Sequence, residues 1–221
     1  MGIMTVKWFK YVIPAALAWC LCHQEAACAD FKTKVLDIMQ ASRVEFGVEW
    51  GYTGTFLHKY HNDYIDSTDG YRIDVRDTDY LLYSNAFMQA GVQFEAAKHY
   101  ALALNAGFAG VFQERRMFPI LLRFSYFFRS FQEDGVFAMA EAGKAFVFDD
   151  KVLKNNIARL GAGYRISLSS KNSIDFKSFV QLATDHPDIY NMNLGHKVQP
   201  AYLNCSDSYY GALVFSLALS F

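Results

Sequence analysis

The chain has 221 residues, 52% apolar and 17% aromatic, with 19% charged and 21 basic side chains against 22 acidic ones. A net charge of −1 excludes the basic footprint of a nucleic-acid binder, and four prolines without a Ser/Gly tract exclude a disordered chain or a string of modules. The length fits one domain with a substantial core or two very small ones, and the 20 Phe and 14 Tyr favour strands.

The first residues form an address. Lys7 and Lys10 precede an apolar stretch from Tyr11 to Cys22, followed by Ala27-Cys28-Ala29. A basic region, a short apolar region and an A-x-A site predict a secretory signal peptide over 1–29, cut after Ala29. The stretch is too short for a transmembrane helix, which needs about 20 apolar residues. A lipoprotein alternative would cut before Cys28 and acylate it, but Glu25 sits where an apolar residue is expected. Cleavage at Ala29 leaves Cys205 as the sole cysteine and forbids an internal disulfide. Residues 30–43 are expected as a periplasmic segment; Phe31, Val35, Ile38 and Met39 share the spacing of a short amphipathic helix.

From residue 44 onward the period is two. The last segment is the clearest: Tyr209, Leu213, Phe215, Leu217, Leu219 and Phe221 alternate with small or polar residues. The same reading gives strands at 44–56, 84–96, 100–112, 119–129, 136–148, 156–168, 174–183 and 209–221. Short turns at 97–99, 130–135 and 169–173 alternate with connections at 57–83, 113–118, 149–155 and 184–208, two of them long. That alternation predicts an all-β, antiparallel, up-and-down barrel of the transmembrane kind over 44–221, with both termini and the tight turns on the periplasmic side.

Charge decides which face meets lipid. The face carrying Val44, Phe46, Trp50 and Tyr52, then Ile120, Leu122, Phe124 and Phe128, has Lys144 as its only charged residue. The other face carries Glu45, Glu49, Glu95, Arg123, Arg129, Glu141, Arg159, Arg165, Asp175 and Lys177. A midplane Lys or Arg facing lipid costs about 2–4 kcal/mol, so the charged face is predicted to look inward as a neutral, paired lumen network. Arg123 and Glu141 are expected opposite one another. The rival, a soluble barrel of lipocalin type, would place the broad aromatic face inside, where eight strands leave too little room. Phe94, Tyr100, Tyr126, Phe128 and Phe221 at one end, and Phe56, Phe112, Phe148 and Tyr209 at the other, are expected to form two aromatic girdles.

With Phe221 closing the alternating strand from Tyr209, the chain resembles the small eight-stranded outer-membrane barrels, the class of the OmpA transmembrane domain and OmpX. The resemblance covers 44–221 as a pattern. It implies residence in the bacterial outer membrane, contact with lipid and lipopolysaccharide, and delivery to the barrel-insertion machinery through the terminal strand. It carries over no functional residue.

An eight-stranded barrel holds no wide channel, so the expected role is envelope structure or binding through the long connections at 57–83 and 184–208. Asp63, Asp66, Asp69, Asp74, Asp77 and Asp79 crowd the first of these as candidate binding residues, without the order of an EF-hand. Neither a cofactor nor a resident metal is expected. The alternatives are a lipid A or phospholipid-modifying enzyme, using His58, His61 or His186 with nearby acids such as Asp185 and Asp188, and a narrow diffusion channel.

Overall fold

The computed structural model describes residues 44–221 apart from 68, 113–114, 148–154, 170–171 and 192–195. The predicted signal peptide and the segment 30–43 lie outside the described residues. Eight long strands form the wall: β1 (Val44–Ile65), β2 (Arg72–Ala97), β3 (Tyr100–Phe112), β4 (Arg115–Phe127), β5 (Gly135–Phe146), β6 (Asn155–Ser167), β7 (Ser173–Asp185) and β8 (Leu203–Ser220). Each pairs antiparallel with its chain neighbours, and β8 returns to β1, so the sheet closes. Closure leaves no open edge within the wall, the condition for backbone groups to sit in hydrocarbon.

The ring is staggered. Following hydrogen-bonded partners once around from Gly47 leads through Gly91, Asn105, Leu121, Gly143, Ile157, Ala183 and Tyr210 to His58, well up the same strand. That climb tilts the strands, and it stacks residues distant in sequence at one height inside.

Side-chain alternation separates the two faces. Leu160 is 69% exposed, and Leu182 and Phe215 61%, whereas Leu121 is 0% and Phe127 2%. Tyr100 and Tyr126 meet at 5.2 Å near the end that holds the chain termini, and Phe118 stacks on Phe146 at 5.6 Å toward the opposite end. The side chains of Phe112 and Phe148, placed by expectation in the external girdle, lie outside the described residues.

Two boundaries differ from the sequence reading. The connection expected over 57–83 is mostly strand: β1 and β2 continue to Ile65 and from Arg72, bonded to each other on both sides of a bulge between Thr55 and Leu57. β8 likewise begins at Leu203 and pairs with β1 up to Tyr64. A three-stranded ribbon, β2–β1–β8, therefore stands above the rest of the rim, because the β2–β3 ladder begins only at Phe87. Where both faces of a strand meet water, polar residues fill both and the apolar alternation fades while the backbone ladder persists. The ribbon turns tightly at 66–71, where Gly70 donates its N–H to the Asp66 carbonyl at 2.9 Å with φ +70°, a conformation that favours glycine.

Candidate functional site

The lumen is built from inward residues of every strand. At its centre Glu49 accepts hydrogen bonds from Arg123 Nη2 at 2.7 Å, Lys177 Nζ at 2.9 Å and Ser216 Oγ at 2.7 Å. Arg123 and Glu141 are partners across β4 and β5, and their charged groups meet at 3.1 Å. Glu141 also accepts from Arg159 at 2.9 Å and from Asn105 at 3.0 Å. Arg159 donates onward to Gln181 at 2.8 Å and Gln89 at 3.2 Å. Nearer the end that holds the chain termini Arg165 grips Asp175 bidentately at 2.8 and 2.9 Å, approaches Glu45 at 3.7 Å and donates to the Phe131 carbonyl at 3.0 Å. Glu45, Glu49, Arg123, Glu141, Arg159, Arg165, Asp175 and Lys177 are all buried, four acids against four bases.

Aromatic rings complete the packing. The Arg159 guanidinium lies 5.2 Å from the Phe87 ring centroid and 5.1 Å from that of Phe179; Arg165 lies 4.8 Å from Phe127 and 4.5 Å from Phe131. Cation–π contact of this kind strengthens where water is excluded. Toward the external end the charges give way to an apolar layer of Val111, Met117, Leu121, Ile157, Ala183 and Tyr210, each at most 3% exposed. A residual cavity of about 20 Å³ beside Glu49, Gln89, Asn105 and Arg123 has room for about one water.

Two residues assigned to this network are elsewhere. Arg129 is exposed, because β4 ends at Phe127 and the chain has already entered the turn. Glu95 sits at a register shift on β2 and accepts from Gln132, in the turn between β4 and β5, at 3.1 Å. The neutral partners Gln89, Asn105, Gln181 and Ser216 were not singled out from sequence, although their positions on the charged face are the available signal.

The aspartates of the first connection do not converge. On the ribbon Asp63 and Asp74 are cross-strand partners, Asp77 and Asp79 lie opposite Tyr60 and His58, and the carboxylates find separate partners. Asp63 takes Arg72 bidentately at 3.0 and 2.7 Å, and these bonds hold its carboxyl down at about 2. Asp74 meets His61 at 3.0 Å and Arg76 at 3.5 Å. Asp77 accepts from the Thr78 N–H at 2.7 Å, Asp79 lies 3.8 Å from His58, Asp66 is buried at the turn, and Asp69 is exposed. Among the described residues no group of three or more His, Cys, Asp or Glu side chains could hold a metal ion.

His58, His61 and His186 all meet the last strand, β8. His58, inward at the external rim, stacks on Tyr210 at 4.8 Å and has Nε2 3.4 Å from Ser208 Oγ. Burial holds its imidazole below the ordinary value, against the pull of Asp79 and Asp185. Ser208 is only 2% exposed. His61 lies on the opposite face of the ribbon, with Nδ1 3.6 Å from Cys205 Sγ. Cys205 donates to Asp207 at 3.1 Å; burial and that carboxylate raise its thiol. His186 pairs with Asp207 at 2.8 Å rather than with Asp185 or Asp188 through its ring. Ser208 and Asp207, contributed by the last strand, are rim residues the sequence reading passed over.

No protein-family model matches the chain, and no curated protein matches it. Among solved structures it is similar to the outer membrane protein OprG from Pseudomonas aeruginosa, with a TM-score of 0.44 and 11% identity over 80% of this chain and 95% of that one. It is also similar to the outer membrane protease OmpT from Escherichia coli, with a TM-score of 0.41 and 9% identity over 80% of this chain and 96% of that one. The strand pairing and the exposure of the outer face stand by themselves: this chain is a closed antiparallel barrel of eight strands whose large apolar side chains point outward.

Proposed function

We propose that this protein is an integral outer-membrane barrel, exported by a signal peptide cut after Ala29, with a packed, non-conducting lumen and a contact role for its external ribbon. The observation that carries this reading is the partition of the wall: large apolar side chains exposed outside, and eight charged groups buried and paired within. The apolar layer from Val111 to Tyr210 supports closure, since it separates the ionic lumen from the external side. Envelope structure, contact with lipid and lipopolysaccharide, and delivery through the Phe221-terminated strand belong to the same reading. The ribbon β2–β1–β8, with the connection before β8, is the surface that would meet an extracellular partner.

Planar-bilayer recording on the purified barrel tests the lumen. The expected result is no steady conductance; a stable ohmic step would replace this reading with a narrow diffusion channel. A second reading, lipid hydrolysis at the rim, is favoured by one arrangement: Ser208, His58 and Asp79 lie in sequence across β8, β1 and β2, with a neutral imidazole between hydroxyl and carboxylate. Lipid A mass spectra from cells expressing the wild type and Ser208→Ala decide it. Identical spectra leave the structural role; a modification lost only in the variant establishes the enzyme.

A further inference from the structure

Lys144 is out of place. It is exposed on the lipid-facing side of β5, directly opposite Ile120 and two residues below Phe146, which stacks on Phe118. With ~3.3 Å per residue and a ~40° tilt, its backbone lies roughly 5 Å inside the external girdle. It has no acidic partner among the described residues. A flexible ammonium at this depth reaches upward toward the interface. There Arg116, exposed on the same face of β4 and two residues above Phe118, brings a second cation to the same aromatic cluster.

Below Lys144 the wall is shaped. The outward residues of β5 are Ala142, Ala140 and Ala138, and their partners on β4 are Leu122, Phe124 and Tyr126. On the other side Ala140 faces Leu160 of β6, which is 69% exposed. Ala142 and Ala138 face Ala158 and Ala162 there, so methyl side chains on both strands leave a shallow furrow beside the β4 ridge, with Leu160 standing at its edge and the ammonium above it. Two cations at interfacial depth and an apolar furrow beneath them match an amphiphile with an anionic head. The anion that a bilayer supplies at that depth is phosphate.

We propose that Lys144 and Arg116 seat the phosphate of a phosphorylated lipid in the external leaflet, with one of its acyl chains lying along the β5 furrow. This rests on the membrane-spanning reading above. It adds a defined site to what would otherwise be unspecific solvation by lipid, and it gives Lys144 a partner that offsets its position in the apolar band.

The test uses the full chain folded into phosphatidylcholine nanodiscs, with closure of the barrel checked by mobility on unboiled and boiled gels. The protein is then released into mild detergent and titrated with phosphatidic acid or phosphatidylcholine of matched chains, and bound lipid is counted by native mass spectrometry. The expected result is retention of one phosphatidic acid with at least tenfold preference. Lys144→Met combined with Arg116→Met should abolish the preference, and Lys144→Arg should keep it. Equal retention of the two lipids, or an unchanged preference in the double variant, overturns the site. Displacement by millimolar inorganic phosphate overturns the lipid as its ligand. Failure to insert into the nanodiscs sinks the membrane reading and this site with it, whereas insertion without preference sinks the site alone.

Discussion

Two bidentate arginine–carboxylate pairs in this molecule have nearly the same geometry and opposite settings. Arg165 holds Asp175 in the lumen at 2.8 and 2.9 Å, and both side chains are at most 2% exposed. Arg72 holds Asp63 on the ribbon at 3.0 and 2.7 Å, with the Arg72 side chain 64% exposed. Geometry alone does not set what such a pair contributes. In the lumen a lost partner strands a charge that water cannot reach, while on the ribbon water takes the partner's place.

The largest effect should come from the buried member. Arg165→Met leaves Asp175 without its bidentate partner beneath the Phe127 and Phe131 rings, and should destabilise the barrel by about 3–5 kcal/mol. Urea unfolding in lipid vesicles, followed by gel mobility, measures this. A loss below about 1 kcal/mol would mean that solvent enters the lumen, and the comparison would collapse. Next comes packing around the network. A methyl group at Gly163 would lie 2.8 Å from Cε1 of Phe137 and 2.7 Å from the Phe176 carbonyl oxygen. Gly163→Ala should therefore cost about 1–3 kcal/mol by the same assay.

Acid titration separates the ribbon from the wall. The carboxyl of Asp63 falls from an ordinary 3.8 to about 2 on folding, chiefly through hydrogen bonds from Arg72. A lowered carboxylate pKa gives stability that is complete above about 4 and lost as pH falls from there through about 2. Amide hydrogen exchange at residues 60–75 should therefore speed up over that window in the wild type, and the acid-dependent part should vanish in Asp63→Asn. The smallest effect is expected from Arg72→Ala: no resolvable change in the unfolding midpoint of the barrel, with any loosening confined to ribbon amides. A midpoint shift as large as that of Arg165→Met would show that ribbon and wall unfold as one unit.

Much of this was legible in the sequence because a strand of period two sends its charged and its apolar residues to opposite faces. The alternation of Leu213, Phe215, Leu217 and Leu219, and the confinement of Glu49, Arg123, Glu141 and Arg159 to the other parity, specify the strand faces without any coordinates. The alternation fails in the ribbon, where polar residues on both faces leave no period-two signal to mark the strands. It fails again past Phe127, where parity assigns Arg129 inward although the strand has ended.

By itself, then, the chain determined its topology and its inside and outside, since both follow from the period and from the confinement of charge to one parity. Which charge meets which was decided only by the stagger of the closed sheet. Glu49 and Lys177 are 128 residues apart and meet at 2.9 Å. The tilt that closure imposes brings them to one height, and no local pattern encodes that tilt. The same holds at the rim, where His58 reaches Ser208 only because β8 completes the ring against β1.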